Sequence, residues 1–469
     1  MPHAQFRMHS GNSCGVGSGL GVPDMSSIIE RLDSSSLKVA HGFAAVLCAV
    51  GFGVDLLEIS VTNALSAVFS TTPHSLSPPV LSWLLASVYI GAVIGAPFVG
   101  WIADRKGLKV ALCGTLLWLG VTSLLAATQP SPARFGVFRF LSGIALGAYP
   151  PLMIAYLTAI APAGYRGLMI FWVCSLAYLA PPLGIFMISW LTPLHPFDIE
   201  GWRWPFAVAG SAALVVGAVF IRLPESPRWL LTRGHRQEAE RICLAIERSA
   251  ILRLPSLLKP REIKTDAPAV PIHSAADDGS KLKGTLAFVM VLYFLQPWSM
   301  TAFPLLTGPM LLKRGHRLTD TLLYIALATF GPALSTFIAG PLIDRLKRRV
   351  SLLLACAVML LSVGAFFCTD NPVLLTSAIL MFTTGVAVYT PLMTTYGAEL
   401  IPVARRASLT TLAWAGNRLA AVLVPLSVLP LFVAYGASAV GWEVTSALIA
   451  SVLLVALSGR KAAICECIS

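Results

Sequence analysis

Charge is what this sequence has least of. Asp, Glu, Lys and Arg make up 12% of its 469 residues, about half the share found in soluble globular chains, whereas strongly apolar residues make up 56%. Three soluble domains, which the length alone would suggest, are excluded. Cysteine is sparse and scattered: Cys48, Cys113, Cys174, Cys356 and Cys368 lie in apolar runs, Cys14 and Cys243 stand alone, and Cys465 and Cys467 close the sequence. No metal-ligand spacing or disulfide framework follows from that pattern. H-E-x-x-H and P-loop motifs are absent and the eight histidines are dispersed, so no enzyme, metal or cofactor is expected. Nor is any soluble stretch large enough for a sensor domain.

What is present in quantity is apolar sequence in long runs. They lie near 39–65, 80–103, 108–128, 133–158, 167–191 and 204–223, then near 284–309, 320–343, 350–368, 371–398, 407–432 and 434–458. Each has the length of about 20 residues that a helix needs to cross a bilayer. The runs are continuous rather than alternating, which reads as helices and not as barrel strands. The expectation is an all-α membrane protein of twelve spans, six plus six.

The net charge of +12 marks topology rather than nucleic acid, because the basic residues sit between apolar runs without an aromatic-studded basic domain. In the short loops, Arg105, Lys106, Lys109, Arg166, Arg345, Lys347, Arg348, Arg349, Arg405 and Arg406 fall on one side, against Arg134, Arg203, Lys313, Arg314 and Arg317 on the other. The richer side is cytoplasmic by the positive-inside rule, and segment 224–283 adds eleven more basic residues to it. Both termini are therefore expected inside, in a plasma or inner membrane. The organisation reads as a cytoplasmic tail over 1–38, polar and mobile, a six-helix bundle over 39–223, a loop with surface helices over 224–283, a second bundle over 284–458 and a tail over 459–469. Within the loop, Arg236 to Arg248 reads as a surface helix with Ile242 and Ala245 as its apolar positions.

The two bundles repeat one another. Gly100-Trp-Ile-Ala-Asp104-Arg105-Lys-Gly-Leu-Lys109 after span 2 matches Gly340-Pro-Leu-Ile-Asp344-Arg345-Leu-Lys-Arg-Arg349 after span 8, at an offset of 240. At the same offset Tyr149-Pro-Pro-Leu-Met-Ile-Ala-Tyr156 in span 4 meets Tyr389-Thr-Pro-Leu-Met-Thr-Thr-Tyr396 in span 10. The chain thus reads as two parallel, pseudo-symmetric halves, a design that puts substrate at the interface near the midplane.

The turn after span 2 resembles the G-x-x-x-D-R-x-G-x-x signature of the major facilitator superfamily, and its second copy begins at Gly340. Pro224-Glu225-Ser-Pro-Arg228-Trp-Leu230 is similar to a motif of the sugar-porter and organic-ion branch. The resemblance implies helices 1, 4, 7 and 10 around a cavity that opens alternately to each side. It also implies a cytoplasmic latch drawn from Gly100, Asp104, Arg105, Glu225, Arg228, Gly340, Asp344, Arg345 and Glu399. One acid of that latch is missing: Ala159 stands in span 4 where Glu399 stands in span 10.

Three charges in the first half lie where lipid or a dry cavity should be. Asp55 and Glu58 are three apart on span 1, hence on one helical face, and Arg139 on span 4 lies level with them. Intramembrane charges are functional by default, so the three are read as the proton-coupling group, with Asp55 as the coupling acid beside Arg139; the alternative is that Glu58 reaches the surface and only Asp55 is buried. Phe52-Gly53-Val54-Asp55 is similar to the D-G-F-D stretch of aromatic-acid/proton symporters, with Val54 and Asp55 keeping only its second acid. Gly143 and Gly147, four apart after Arg139, read as helix-packing positions.

In the second half the outstanding charge is Arg418, near the middle of span 11 beside Asn417. Its surroundings resemble the Arg-Leu-Gly-Gly-x-x-x-Pro stretch of organic-anion transporters, with Ala420 and Ala421 in place of the glycines. The resemblance implies an arginine that contacts an anionic substrate. Tyr178 corresponds to Arg418 at the repeat offset and is expected to border the same cavity, with Tyr149, Gln296, Trp298, Tyr389 and Met393 as further lining residues. The functional expectation is a monomeric, proton-coupled transporter of a small organic anion, surrounded by lipid. The alternatives are a drug or metabolite/proton antiporter and uptake of organic cations or sugars. The antiporter class carries a glycine-rich kink in span 5, where this chain has Ala180-Pro181-Pro182-Leu183-Gly184.

Overall fold

The computed structural model describes residues 25–71, 75–194, 196–252, 279–343, 348–400 and 406–466. Among them are twelve helices long and apolar enough to cross a bilayer: Val39–Val68, Pro78–Lys106, Leu108–Ala127, Pro132–Ile160, Ala163–Leu191 and Gly201–Phe220 as spans 1 to 6, then Leu282–Lys313, Leu318–Ala339, Arg349–Cys368, Pro372–Thr394, Ala413–Tyr435 and Ala437–Ala456 as spans 7 to 12. Continuous apolar runs take this form because a helix satisfies every backbone donor and acceptor within the segment, which lipid cannot do.

Proline sets the irregularities. Span 4 breaks at Gly147–Ala148, ahead of Pro150 and Pro151, and span 5 breaks at Tyr178–Leu179, ahead of Pro181 and Pro182. A proline lacks the N–H that would continue the helical ladder and crowds the carbonyl one turn back. Span 4 nevertheless lies close against span 2, because Gly91 and Gly95 on one meet Gly143 and Gly147 on the other. A methyl group at any of the four would overlap backbone of the facing helix. That close approach fixes the height of Arg139, one turn outward of Gly143.

The halves meet along span 2 with span 11 and span 5 with span 8. Ser175 donates to the Ala333 carbonyl at 2.7 Å and Ser189 to that of Thr319 at 3.1 Å. At the outer ends of spans 1 and 7, Ser66 donates to the Leu305 carbonyl at 2.5 Å. Gly308 packs there on Ala67, with too little room for a Cβ between them. The bundle is closed between spans 1 and 7 at this end.

For residues 25–38 the reading as a mobile tail requires correction, while residues 1–24 lie outside the described residues. Residues Met25–Ser34 form a helix whose Ile28 and Leu32 are buried against Leu230, Leu231, Ala239, Cys243 and Ile246 of helices Pro227–Thr232 and Arg236–Arg248. Arg31 donates to Glu240 at 2.7 Å and to both oxygens of Glu247 at 2.8 and 3.0 Å. Asp33 accepts from Arg228 at 2.5 Å and also from Arg166. Backbone bonds Leu252 N–H to Leu37 O and Val39 N–H to Ala250 O, both 2.9 Å, fasten the chain before span 1. The same packing corrects the face of helix Arg236–Arg248, which buries Ala239, Cys243 and Ile246 while Ala245 stays exposed.

Candidate functional site

Arg139 donates to Glu58, not to Asp55. The pair has 1% and 0% of its side chains exposed, so Glu58 is buried rather than at the surface, and the expectation that Asp55 is the partner of Arg139 is corrected. The Ser123 hydroxyl donates to the other oxygen of Glu58, while Arg139 also reaches Ser142 at 3.2 Å, the Thr62 hydroxyl, and the Glu58 carbonyl at 3.4 Å. Its guanidinium stacks 4.9 Å over the Phe206 ring. Spans 1, 3, 4 and 6 thus surround one buried ion pair with partners, leaving Nε of Arg139 without a hydrogen bond, and such partners are the condition for holding a pair in a dry interior. The hydroxyl shell was not anticipated, although Thr62, one turn after Glu58, was legible as a neighbour.

Asp55 is 1% exposed and one of its oxygens has no hydrogen-bond partner. Its strongest opposite charge is Arg418, on the other half, and Asp55 is in turn the strongest charge on Arg418. The phenol of Tyr89 on span 2 also feels both Arg139 and Arg418, and its hydroxyl is buried without a partner. No motif pointed to Tyr89, which reads in sequence as one aromatic in an apolar span.

Arg418 is held in place by its neighbours. The Asn417 amide donates to the Tyr293 carbonyl at 2.9 Å and to Gln296 at 2.7 Å, and Gln296 donates to the Thr390 hydroxyl at 2.9 Å. Trp414, one turn earlier, stacks edge-on against Tyr293 at 5.7 Å and underlies the Arg418 guanidinium at 5.4 Å. Spans 7, 10 and 11 are tied together by this network, and Arg418 projects from it toward the first half.

The other expected lining residues separate. Tyr178 caps the inner part of span 5, and the charged and phenolic neighbours of Arg418 are Asp55 and Tyr89 rather than Tyr178. The repeat offset therefore does not bring Tyr178 to Arg418. Tyr149 donates to the Cys48 carbonyl at 3.3 Å and is packed within the first half, while Tyr389 and Met393 are packed within the second, each 1% exposed or less. Trp298 is half-buried with its indole N–H unpartnered.

The latch residues of the first half make their contacts within that half and not with one another. Glu225 accepts from the backbone N–H of Lys109 at 3.1 Å and of Ser226 at 2.9 Å, capping the N-terminus of span 3, where partial positive charge favours a carboxylate. Burial pushes this carboxyl above its usual range, and the backbone donors of Ser226, Lys109 and Leu108 draw it back down. Gly107 turns there with φ +107°, and a side chain would strike Glu225, which explains the signature glycine. Glu225 is thus a cap within its own half, not an acid reaching across. Asp104 is exposed and offers its backbone carbonyl to Trp229 at 3.3 Å and to Arg233. Arg105 stacks on Trp101 at 4.2 Å, nothing lies near Gly100, and Arg228 holds Asp33. In the second half Asp344 and Arg345 lie outside the described residues, as do the surroundings of Gly340 and the side chain of Glu399.

The chain is 24% identical over 447 residues to the niacin transporter NiaP of Acinetobacter baylyi, covering 92% of this chain and 97% of that one. It is 27% identical over 332 residues to the galactose-proton symporter of Escherichia coli, covering 69% of this chain and 68% of the relative. In fold it is similar to a partially occluded, inward-open structure of the E. coli xylose transporter XylE, with a TM-score of 0.67 at 19% identity over 91% of this chain and 97% of that one. The sequence profile of the Major Facilitator Superfamily matches residues 15–425. With twelve spans, two buried intramembrane arginines and this match over most of its length, the chain belongs to the Major Facilitator Superfamily and is a multi-pass membrane transporter.

Proposed function

We propose that the protein carries a small organic anion across the membrane by alternating access, in symport with protons, with both termini on the cytoplasmic side. The observation that carries this reading is Arg418: a guanidinium in mid-span that forms no ion pair among the described residues and looks across the half interface to Asp55. A cation so placed calls for an anion, and a carboxylate meets a guanidinium through two parallel hydrogen bonds. Protons enter through the separate Glu58–Arg139 pair. Protonating Glu58 discharges that pair and frees Arg139 to move, so the two gate states come to differ in proton occupancy. Relatives that carry niacin, an acid, and galactose with protons support both parts.

A neutral sugar is the second reading, favoured by the amide network of Gln296, Asn417 and Thr390, whose polarity suits hydroxyls. Those amides already satisfy one another, and a sugar leaves the charge of Arg418 uncompensated.

The test is uptake into proteoliposomes with an imposed proton gradient, comparing labelled lactate, 4-hydroxybenzoate and xylose. A carboxylate accumulating with the gradient and released by a protonophore is expected. Accumulation of xylose unaffected by excess carboxylate overturns the reading.

A further inference from the structure

Three buried polar atoms without partners come from three spans at one place. They are a carboxylate oxygen of Asp55 on span 1, the hydroxyl of Tyr89 on span 2 and Nε of Arg418 on span 11. Asp55 is 1% and Tyr89 6% exposed, and buried polar atoms left unpaired in a native interior are rare and costly. Arg418 senses both Asp55 and Tyr89 electrostatically, yet no Asp55 oxygen lies within 4.0 Å of the Arg418 guanidinium. Opposite charges that interact without touching leave hydrogen-bonding capacity on both sides that a molecule reaching from one to the other would satisfy.

The chemistry of the three side chains defines that molecule. A guanidinium only donates, an ionised carboxylate only accepts, and a phenol does either. Arg418 takes the anionic end. Asp55 takes a donor, an O–H or N–H, and the Tyr89 hydroxyl bridges to whichever end lies nearer. An anion lacking the donor leaves Asp55 buried and unpaired beside it, and a neutral polyol does the same to Arg418. The groups need little reorganisation, because Asn417, anchored to span 7, and Trp414, beneath the guanidinium, fix the direction of Arg418, and a preorganised group loses less on binding.

We propose that Asp55, Tyr89 and Arg418 form a two-point subsite across the half interface that selects carboxylates also bearing a hydrogen-bond donor, the hydroxy- and amino-carboxylates. The proposal rests on the anion reading above and narrows it. A site built to bond a substrate hydroxyl discriminates strongly against the analogue without it, by up to about 10⁴-fold or more, whereas a pocket that merely encloses the acid distinguishes the two weakly.

Matched pairs test this by isothermal titration calorimetry on the full-length protein in detergent: lactate against propanoate, 4-hydroxybenzoate against benzoate, with xylose as the neutral polyol. The hydroxylated member of a pair is expected to bind at least about 100-fold more tightly. Tyr89→Phe is expected to reduce that ratio and Asp55→Val to bring it below about 10-fold. Because the ratio is read first on the wild type, it remains informative if Asp55→Val fails to fold. Equal binding within each pair overturns the two-point subsite and leaves the anion reading standing. Binding of xylose with no binding of any carboxylate overturns the anion reading itself.

Discussion

Arg139 and Glu58 form an ion pair that is almost wholly inaccessible to solvent, and their pairing leaves Asp55 free to face Arg418 on the opposite half. The two acids of span 1 are three residues apart and serve different arginines. One pair lies within a half and is hydrogen-bonded by hydroxyls from spans 1, 3 and 4. The other spans the interface, where alternating access makes and breaks contacts.

The proposed coupling runs through Glu58. Glu58→Gln keeps the shape and an acceptor for Arg139 but cannot discharge by taking a proton. It is expected to preserve substrate exchange between the two sides while abolishing accumulation driven by a pH gradient. Gradient-driven uptake at the wild-type level excludes Glu58 as the proton site.

Removing one partner without replacement has a larger structural cost. Glu58→Ala strands Arg139 in the bundle, and breaking a buried pair in this way destabilises by about 3–5 kcal/mol. A markedly lowered melting temperature in detergent is expected, with partial recovery in Glu58→Ala combined with Arg139→Leu. An unchanged melting temperature in Glu58→Ala contradicts the burial of the pair.

The outer closure depends on Gly308, which lies against Ala67 with no room for a side chain. Gly308→Trp is expected to hold spans 1 and 7 apart and bias the protein toward the outward-open state. A difference of only about 1.4 kcal/mol shifts the ratio of the two states tenfold. Labelling of a cysteine introduced at Asn63 by a membrane-impermeant reagent should rise from outside and net transport should fall. Unchanged labelling removes Gly308 from the closure.

Docking of the helix Met25–Ser34 is expected to depend on pH. Arg31 beside Glu247 holds that carboxyl below its ordinary value of 4.5. A carboxyl depressed in the folded state contributes stability that is complete above the ordinary value and lost as pH falls through the lower one. A spin label at Glu30 is therefore expected to be immobile at neutral pH and to loosen only well into acid. Glu247→Gln should flatten that acid limb, and equal mobility across the whole range contradicts the clamp.

Much of this fold is legible in the sequence, because span length, basic loops and the common offset of Asp104 with Asp344 and Tyr149 with Tyr389 report on the bilayer and on an internal repeat. Pairings within the bundle are harder to read. Asp55 and Glu58 share a face, and what marks Glu58 as the paired acid is the hydroxyl of Ser123, which only tertiary packing brings near. Tyr89 is hidden for the same reason. The docked N-terminal helix was concealed by composition: Ile28 and Leu32 are its buried positions, set between a Gly/Ser-rich start and Ser34-Ser35-Ser36. Its contacts are with helices some two hundred residues further along the chain.

The role of Arg418 as the seat of substrate charge is tested most directly by ligand-dependent thermal stability of wild type and Arg418→Asp. Each is measured with 4-hydroxybenzoate and lactate, with their uncharged methyl esters, and with xylose. A ligand at about 100 times its Kd stabilises the folded state by about 2.7 kcal/mol. The wild type is expected to be stabilised by a carboxylate and not by its ester, and Arg418→Asp, folded with a similar unliganded melting temperature, by neither. Equal stabilisation of the wild type by acid and ester, or a carboxylate response that survives in Arg418→Asp, contradicts the account.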